Sequence, residues 1–180
     1  WYDLMPDSYK MPPPKSFLEQ RIGVAEAHQK AKKIIEAVDA DYKKHFGRGY
    51  GGLIKEYNCD GAEAVLVTMD SMTGTAKDVI DEMRAKGKKI GLIRLKCFRP
   101  FPTEKFREIA PKYKAIGVVD RNNSFGSAGG GIVAVELARA LYDLSERPVI
   151  ANFHVGLSGT DVTMNQIRYM ADETLEAAKT

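Results

Sequence analysis

Apolar positions along this chain follow two rhythms, and the change between them falls near residue 60. From Lys15 to about Phe46 there is no proline and, apart from Gly23, no glycine. Ile22, Ala25, Ala31, Ile34, Ile35, Val38 and Tyr42 recur there mostly at helical spacing, with Lys and Glu between them. A helix of ~28 residues would run about 42 Å, longer than a domain of this size needs. Part of it is therefore expected to pack on another domain or subunit. Gly47, Gly49, Gly51 and Gly52 end it in a loop. Upstream, residues 1–14 close on Pro12, Pro13 and Pro14, which stiffen the chain and bar a helix before them. That segment reads as a linker or arm arriving from an upstream domain.

From Ala62 onward, short β-branched runs alternate with helical patterns. Glu63–Thr68, Lys89–Cys97, Ala115–Val119 and Val149–Val155 read as buried strands. Between them, 74–86 is helical with Ala76, Val79, Ile80 and Met83 on one stripe, and Ser71 or Thr73 as its cap. Pro100 and Pro102 break the chain, after which Thr103 caps a short helix burying Phe106 and Ile109. A further helix turns Val133, Leu137, Ala140, Leu141 and Leu144 inward. The spacing of Thr163 and Gln166 is that of a capping box opening a last helix. Strand followed by helix four times over, with apolar strands, predicts an α/β fold with a mostly parallel sheet and helices on both faces. The chain thus divides into the arm 1–14, a long helix and glycine loop over 15–58, and an α/β domain over 59–180.

A mass of 20.0 kDa is enough for one core, and composition excludes a collagen, a disordered tail or a disulfide-stapled mini-domain. Two cysteines, Cys59 and Cys97, are too few for an iron–sulfur cluster or an all-cysteine zinc site. The chain opens on Trp1 with no charged-then-apolar signal segment, so it reads as a fragment or a processed chain, and cytoplasmic. No apolar stretch approaches the ~20 residues a membrane span requires. A net charge of +3 does not suggest nucleic acid. One local excess stands out: Arg84, Lys86, Lys88, Lys89, Arg94, Lys96 and Arg99 with no acidic residue among them. Lys86, Lys88 and Lys89 follow a helix C-terminus, where cations are favoured. A docking surface for an acidic partner is the sharper alternative.

Ligands of open parallel sheets sit at the carboxyl ends of the strands, which here means residues 69–75, 98–102, 120–131 and 156–163. The stretch from Asp120 to Gly131 (DRNNSFGSAGGG) precedes a helix, and its free N–H groups could bind an anion. It fits neither G-x-G-x-x-G nor the P-loop pattern, and tight packing of a helix start explains its glycines equally well. His28, His45 and His154 form no metal-binding spacing. His154, ending the fourth strand with Asp120 and Asp161 as candidate neighbours, could act as a base, but a packed histidine is the preferred reading. Cys97 beside Lys96 is preferred as a structural cysteine over a reactive one. No self-sufficient active site emerges.

Taken in order, Gly47-Arg48, the run Ser71 to Lys77 (SMTGTAK), Phe98 to Pro102 (FRPFP), Asp120 to Gly126 with its following glycines, and Gly156 to Thr163 form a set. Together they resemble the C-terminal part of the alpha subunit of 2-oxoacid:ferredoxin oxidoreductases, most familiarly pyruvate:ferredoxin oxidoreductase, over roughly residues 15–178. The resemblance implies a transketolase C-terminal-like domain. It also implies an enzyme complex that decarboxylates a 2-oxoacid on thiamine diphosphate with Mg, sends electrons through four-iron, four-sulfur ([4Fe–4S]) clusters to ferredoxin, and delivers the acyl group to coenzyme A. Pyrimidine-binding, pyrophosphate-binding, gamma-type and ferredoxin-type domains or subunits would be its partners, with neither nucleic acid nor membrane. None of these cofactors is expected to be bound wholly by this chain, and no catalytic residue of the family maps onto it. A structural and interface role follows. Arg94, Lys96, Arg99 and Arg121 are candidates for inter-domain salt bridges or for contacts near a coenzyme A phosphate, and Asn122, Ser124, Gly129 and Gly130 for interface or anion contacts. The rival readings are the C-terminal domain of a transketolase or 2-oxoacid dehydrogenase E1 component, and a free-standing anion- or nucleotide-binding module.

Overall fold

The computed structural model describes the backbone of residues 15–126 and 129–180, with side chains from Leu18 onward. The proline-rich arm 1–14 and Ser127-Ala128 lie outside the described residues. Helix α1 spans Lys15–Phe46. At 32 residues it runs about 48 Å. Then follow β1 (Ile54–Tyr57), β2 (Ala64–Met69), α2 (Met72–Ala85), β3 (Ile90–Leu95), α3 (Thr103–Ile109), β4 (Ala115–Asp120), α4 (Ile132–Leu141), β5 (Val149–His154) and α5 (Met164–Ala177).

The strands form one sheet in the order β1-β3-β2-β4-β5, parallel throughout except for the antiparallel edge strand β1. The four parallel strands and the four helices after them are those the periodicity predicts. β1 is the addition. It belongs to the segment assigned to the long helix and glycine loop (15–58), so the sheet begins before the boundary expected at residue 59. Its four residues, Ile54-Lys55-Glu56-Tyr57, are half-exposed at both ends and exposed in the middle, and lack the apolar run that marks a central strand.

Alternation along the strands divides the core in two. Val65, Val67, Ile93, Leu95, Ile116 and Val118 face α3 and α4 with Phe106, Leu137 and Leu141. Ala64, Leu66, Ile90, Leu92, Ala115 and Val119 face α2 and α5 with Ile80, Ile167 and Met170. Both faces are covered, as expected for parallel strands. Helix α1 stands apart from these layers. It is tied to α3 by Lys32–Glu104 (2.8 Å) and Lys105–Glu36 (3.5 Å), and to the glycine loop by Asp39, whose carboxylate accepts from Tyr50 N and Gly51 N. Leu18, Ile22, Val24, Ile34, Val38 and Phe46 on α1 are all exposed.

Helix starts depart from expectation in two places. Ser71 has helical φ/ψ and its side chain accepts no backbone N–H, while Thr73 is buried with its hydroxyl 3.1 Å from that of Thr68. Neither side chain caps α2: Ser71 holds the N-cap position but in a helical rather than extended conformation, and Thr73 lies inside the first turn. At α3, Pro102 holds the N-cap position and Thr103 is the first helical residue, so its side chain caps nothing. The capping box of α5 is present in both directions, Thr163 Oγ1 accepting from Gln166 N and Gln166 Oε1 from Thr163 N.

Candidate functional site

After β2 the chain adds β3 on one side, and β4 then returns on the other. The carboxyl ends of β2 and β4 thus flank a switch point, where ligands of open α/β sheets settle. Asp70, with φ +64°, turns the chain from β2 into α2. From the end of β4, Arg121 Nη1 donates to Ser71 Oγ at 3.3 Å. A cleft of about 250 Å³ lies here, lined by Ser71, Met72, Thr75, Arg121 and 159–162. Gly156, at φ +62°, lies against the Arg121 guanidinium: a Cβ there would come within 2.7 Å of Nε. Arg121 is exposed, with a neutral hydroxyl as its hydrogen-bond partner.

One strand over, the glycine loop shows what its N–H groups do. Asp120, 2% exposed, closes the N-terminus of α4: Oδ1 accepts from Val133 N and Oδ2 from Ala134 N, both at 3.1 Å. Asn152 on β5 accepts from Gly131 N at 2.8 Å and donates to Asp120 Oδ2 at 3.0 Å. Asn122 Oδ1 accepts from Ile132 N at 2.8 Å. The four donors that a helix N-terminus leaves open are therefore all consumed by side chains of this chain. A Cβ on Gly131 would fall 2.2 Å from the Asp120 side chain, so glycine is required for this closure. The candidates Asn122 and Gly130 belong to the same closure, Gly130 having Asn152 Oδ1 3.1 Å from where a Cβ would stand. Ser124 N donates to Gly130 O, which folds the loop back on itself. Gly129 takes φ +115° on the exposed side. Phe125, at the loop's tip, is 88% exposed.

The remaining candidates separate. Lys88 and Lys89, at the start of β3, pair with Asp172 (2.6 Å) and Glu63 (2.7 Å). Arg94 and Lys96 lie at the other end, so β3 splits the basic run. Arg99 pairs with Glu136 and stacks its guanidinium over Phe98 at 4.1 Å. Asp120 is committed to α4, Asp161 lines the Arg121 cleft, and His154 lines a separate cavity beside Asn165 and Tyr169. The three do not assemble as an acid–base group. Cys59 donates to Leu92 O and Tyr57 O at 3.4 and 3.5 Å, and burial pushes its thiol pKa up. Folded protein at pH 8 should therefore alkylate at Cys59 with iodoacetamide at least roughly ten times more slowly than urea-unfolded protein. Peptide mass mapping over time checks this, and equal rates would contradict it.

These donor sets also decide which family cofactors the residues fit. A diphosphate does not fit the glycine loop, whose N–H groups the Asp120 carboxylate, Asn122 and Asn152 already hold. The two cysteines are half-buried and aimed at backbone carbonyls, and do not fit a four-thiolate cluster. Among the described residues no helix is long and apolar enough to cross a membrane.

The sheet and its helices define an α/β domain of transketolase-like fold. A split-gene transketolase shares it at TM-score 0.54 and 15% identity, over 69% of this chain and 42% of that one. The 2-oxoglutarate:ferredoxin oxidoreductase of Magnetococcus marinus shares it at TM-score 0.50 and 18% identity, over 75% of this chain and 21% of that one. Sequence places the chain more narrowly. Residues 62–167 match the family described as pyruvate:ferredoxin oxidoreductase core domain II, and the chain belongs to that family. It is 40% identical over 166 residues to the pyruvate synthase subunit PorA of Pyrococcus furiosus, covering 92% of this chain and 40% of that protein. It is 39% identical over 160 residues to the ketoisovalerate oxidoreductase subunit VorA of Pyrococcus abyssi, covering 89% and 40%. The alpha subunit of an NADH-dependent phenylglyoxylate dehydrogenase from Aromatoleum evansii is also 40% identical, over 161 residues, covering 89% and 38%. The chain spans about 40% of the length of these curated relatives.

Proposed function

We propose that this domain is the core domain II region of the alpha-type chain of a cytoplasmic 2-oxoacid:ferredoxin oxidoreductase, acting as a structural and interface module. In this reading the complex converts a 2-oxoacid, pyruvate first, with coenzyme A and oxidised ferredoxin into acyl-coenzyme A, carbon dioxide and reduced ferredoxin. Thiamine diphosphate and the clusters are held by pyrimidine-binding, pyrophosphate-binding and ferredoxin-type parts elsewhere. The observation that carries the interface role is the closure of the α4 N-terminus by Asp120, Asn122 and Asn152 beneath a loop whose Phe125 is 88% exposed. The loop spends its donors on its own fold and presents an aromatic side chain outward, as an interface anchor does. The exposed apolar positions of α1 offer a second such surface. The same closure argues against the free-standing anion-binding module, and the relatives near 40% identity favour the oxidoreductase over transketolase or an E1 component.

The chain's division is part of the proposal: an arm over 1–14, α1 and the glycine loop as the docking element, and the α/β body after them. Arg121 is the polar contact proposed for a neighbouring domain, and Arg99, Ser124 and Gly129 are proposed as further interface contacts at their own loops. In the intact complex, ferredoxin reduction should depend on pyruvate and coenzyme A and exceed that with 2-oxoglutarate or phenylglyoxylate. Pyruvate-independent reduction would overturn the activity. Arg121→Ala in the full-length chain should shift the complex towards smaller species in sedimentation velocity, while thiamine diphosphate per remaining complex is unchanged. Unaltered assembly with lost thiamine diphosphate would overturn the interface role.

A further inference from the structure

Away from the switch point, five cations meet at the β1 edge of the sheet. β1 runs antiparallel to β3 in a register that sets Lys55 directly opposite Arg94. Like charges at such a position cost stability, and neither forms an ion pair, although Asp39 attracts Lys55 from beyond contact. Arg48, Tyr50, Lys55, Tyr57, Lys77 and Arg94 line a cavity of about 250 Å³. Lys77 reaches in from α2 with its ammonium 4.9 Å from the centre of the Tyr57 ring. Arg48 and Lys96 approach the Tyr50 ring at 6.0 and 5.6 Å. Among the described residues, none of these five cations lies within salt-bridge distance of a carboxylate. Arg94 Nε is buried without a hydrogen-bond partner, a state that costs free energy unless something accepts from it.

Of the acidic groups around the cavity two are committed, while Asp78, exposed beside Lys77, acts on Tyr57 through its charge alone. Asp39 accepts from Tyr50 N and Gly51 N, and Asp81 accepts from the Tyr57 hydroxyl and Asn58 Nδ2. Burial, then Arg94, Lys55 and Lys77, lower the pKa of Lys96, with Asp39 pulling the other way. The ammonium thus feels a surplus of positive charge that Asp39 offsets only in part.

We propose that this cavity is an anion site for a small ligand, or part of a ligand, carrying two or more phosphate groups. One negative charge would leave most of the cluster unpaired. The volume falls below the roughly 300 Å³ at which drug-sized pockets begin, so it suits a chain of phosphates rather than a whole nucleotide. Phosphates also pack more charge into that space than a polycarboxylate does. Arg94 and Arg48 offer planar forks and Lys55, Lys77 and Lys96 point charges, the pairing that phosphate oxygens accept. The site does not depend on the proposed oxidoreductase activity.

The test is calorimetric titration of tripolyphosphate into the intact complex containing this chain, previously saturated with thiamine diphosphate. Lys77→Gln and Arg94→Gln should each weaken saturable binding at least about tenfold. Lys112→Gln, exposed and not among the residues that line the cavity, should leave it unchanged. Inorganic phosphate and citrate should bind more weakly than tripolyphosphate. A parallel titration with coenzyme A, in wild type and Lys77→Gln, distinguishes a free polyphosphate from the phosphates of a larger cofactor. Lys77→Gln guards against misfolding at the half-buried Arg94. Pyruvate-dependent turnover is read separately, so failure of the site and failure of the proposed activity are distinguishable. Absence of saturable binding, including because a neighbouring subunit's carboxylate fills the cavity, overturns the proposal, as does equal binding in all variants.

Discussion

Asp120→Ala should destabilise the domain by about 4 kcal/mol, lowering its midpoint of thermal unfolding by on the order of 10 °C. The carboxylate is 2% exposed and accepts from Val133 N, Ala134 N and Asn152 Nδ2. Alanine removes these acceptor contacts at once, together with the longer one from Asn122 Nδ2 at 3.5 Å. It leaves two backbone donors at the α4 N-terminus in a space too confined to hydrate freely, as the 2.2 Å approach of a Gly131 Cβ to this side chain shows. An ordinary exposed cap contributes about 1 kcal/mol, whereas each orphaned buried donor costs about 1–3 kcal/mol. Asp120→Asn keeps the volume and replaces one acceptor oxygen with a donor aimed at N–H groups, so it should recover less than half of the loss. Near-ultraviolet circular dichroism against temperature checks both variants. A loss under about 1 kcal/mol for alanine would show that the loop's donors find other partners.

That arrangement also shows how far the sequence could be read. The four parallel strands and the helices between them are legible because each buries a long stretch of the chain, and a period of 2 or 3.6 leaves a mark on every residue. The strand-end segments are legible too, since a parallel sheet restricts where loops gather. What the loops do is not. A glycine run before a helix signals open N–H groups, yet these are taken by Asp120 at its own start and by Asn152, which is 21 residues beyond Gly131. Asn152, set within the otherwise apolar run Val149–Phe153, is the only hint of it, and nothing in the run says which loop it faces. β1 is hidden for a related reason. An edge strand pairs on one side only, so Lys55 and Glu56 need not be apolar, and the antiparallel register that sets Lys55 against Arg94 has no local signature. The cation cluster draws on residues from 48 to 96, brought together by that pairing, by α2 and by the glycine loop before β1.

Gly117→Ala should be nearly as costly, at about 3 kcal/mol, although it adds a single methyl group. Gly117 lies in the middle of β4, paired with Leu66 on one side and Ala151 on the other. A glycine inside a buried strand marks a close approach, and here α5 makes it. A Cβ would stand 2.1 Å from Thr174 Oγ1 and 2.7 Å from Leu66 Cδ2. Neither neighbour can yield cheaply. Thr174 and Leu66 are each 0% exposed, and the Thr174 hydroxyl donates to Met170 O at 2.7 Å. Relief therefore requires α5 to lift from the sheet, which opens its packing of Ile167, Met170 and Ala171 against the core. A double-mutant cycle separates this clash from a general intolerance of the strand. Thr174→Ala removes the hydroxyl in contact while Met170 O keeps its place in the helix, so its own cost should be about 1–2 kcal/mol. The pair Gly117→Ala with Thr174→Ala should then be more stable than the sum of the singles predicts by at least about 1 kcal/mol. Denaturant midpoints of the four proteins provide the cycle, and strict additivity would mean that α5 does not rest on Gly117.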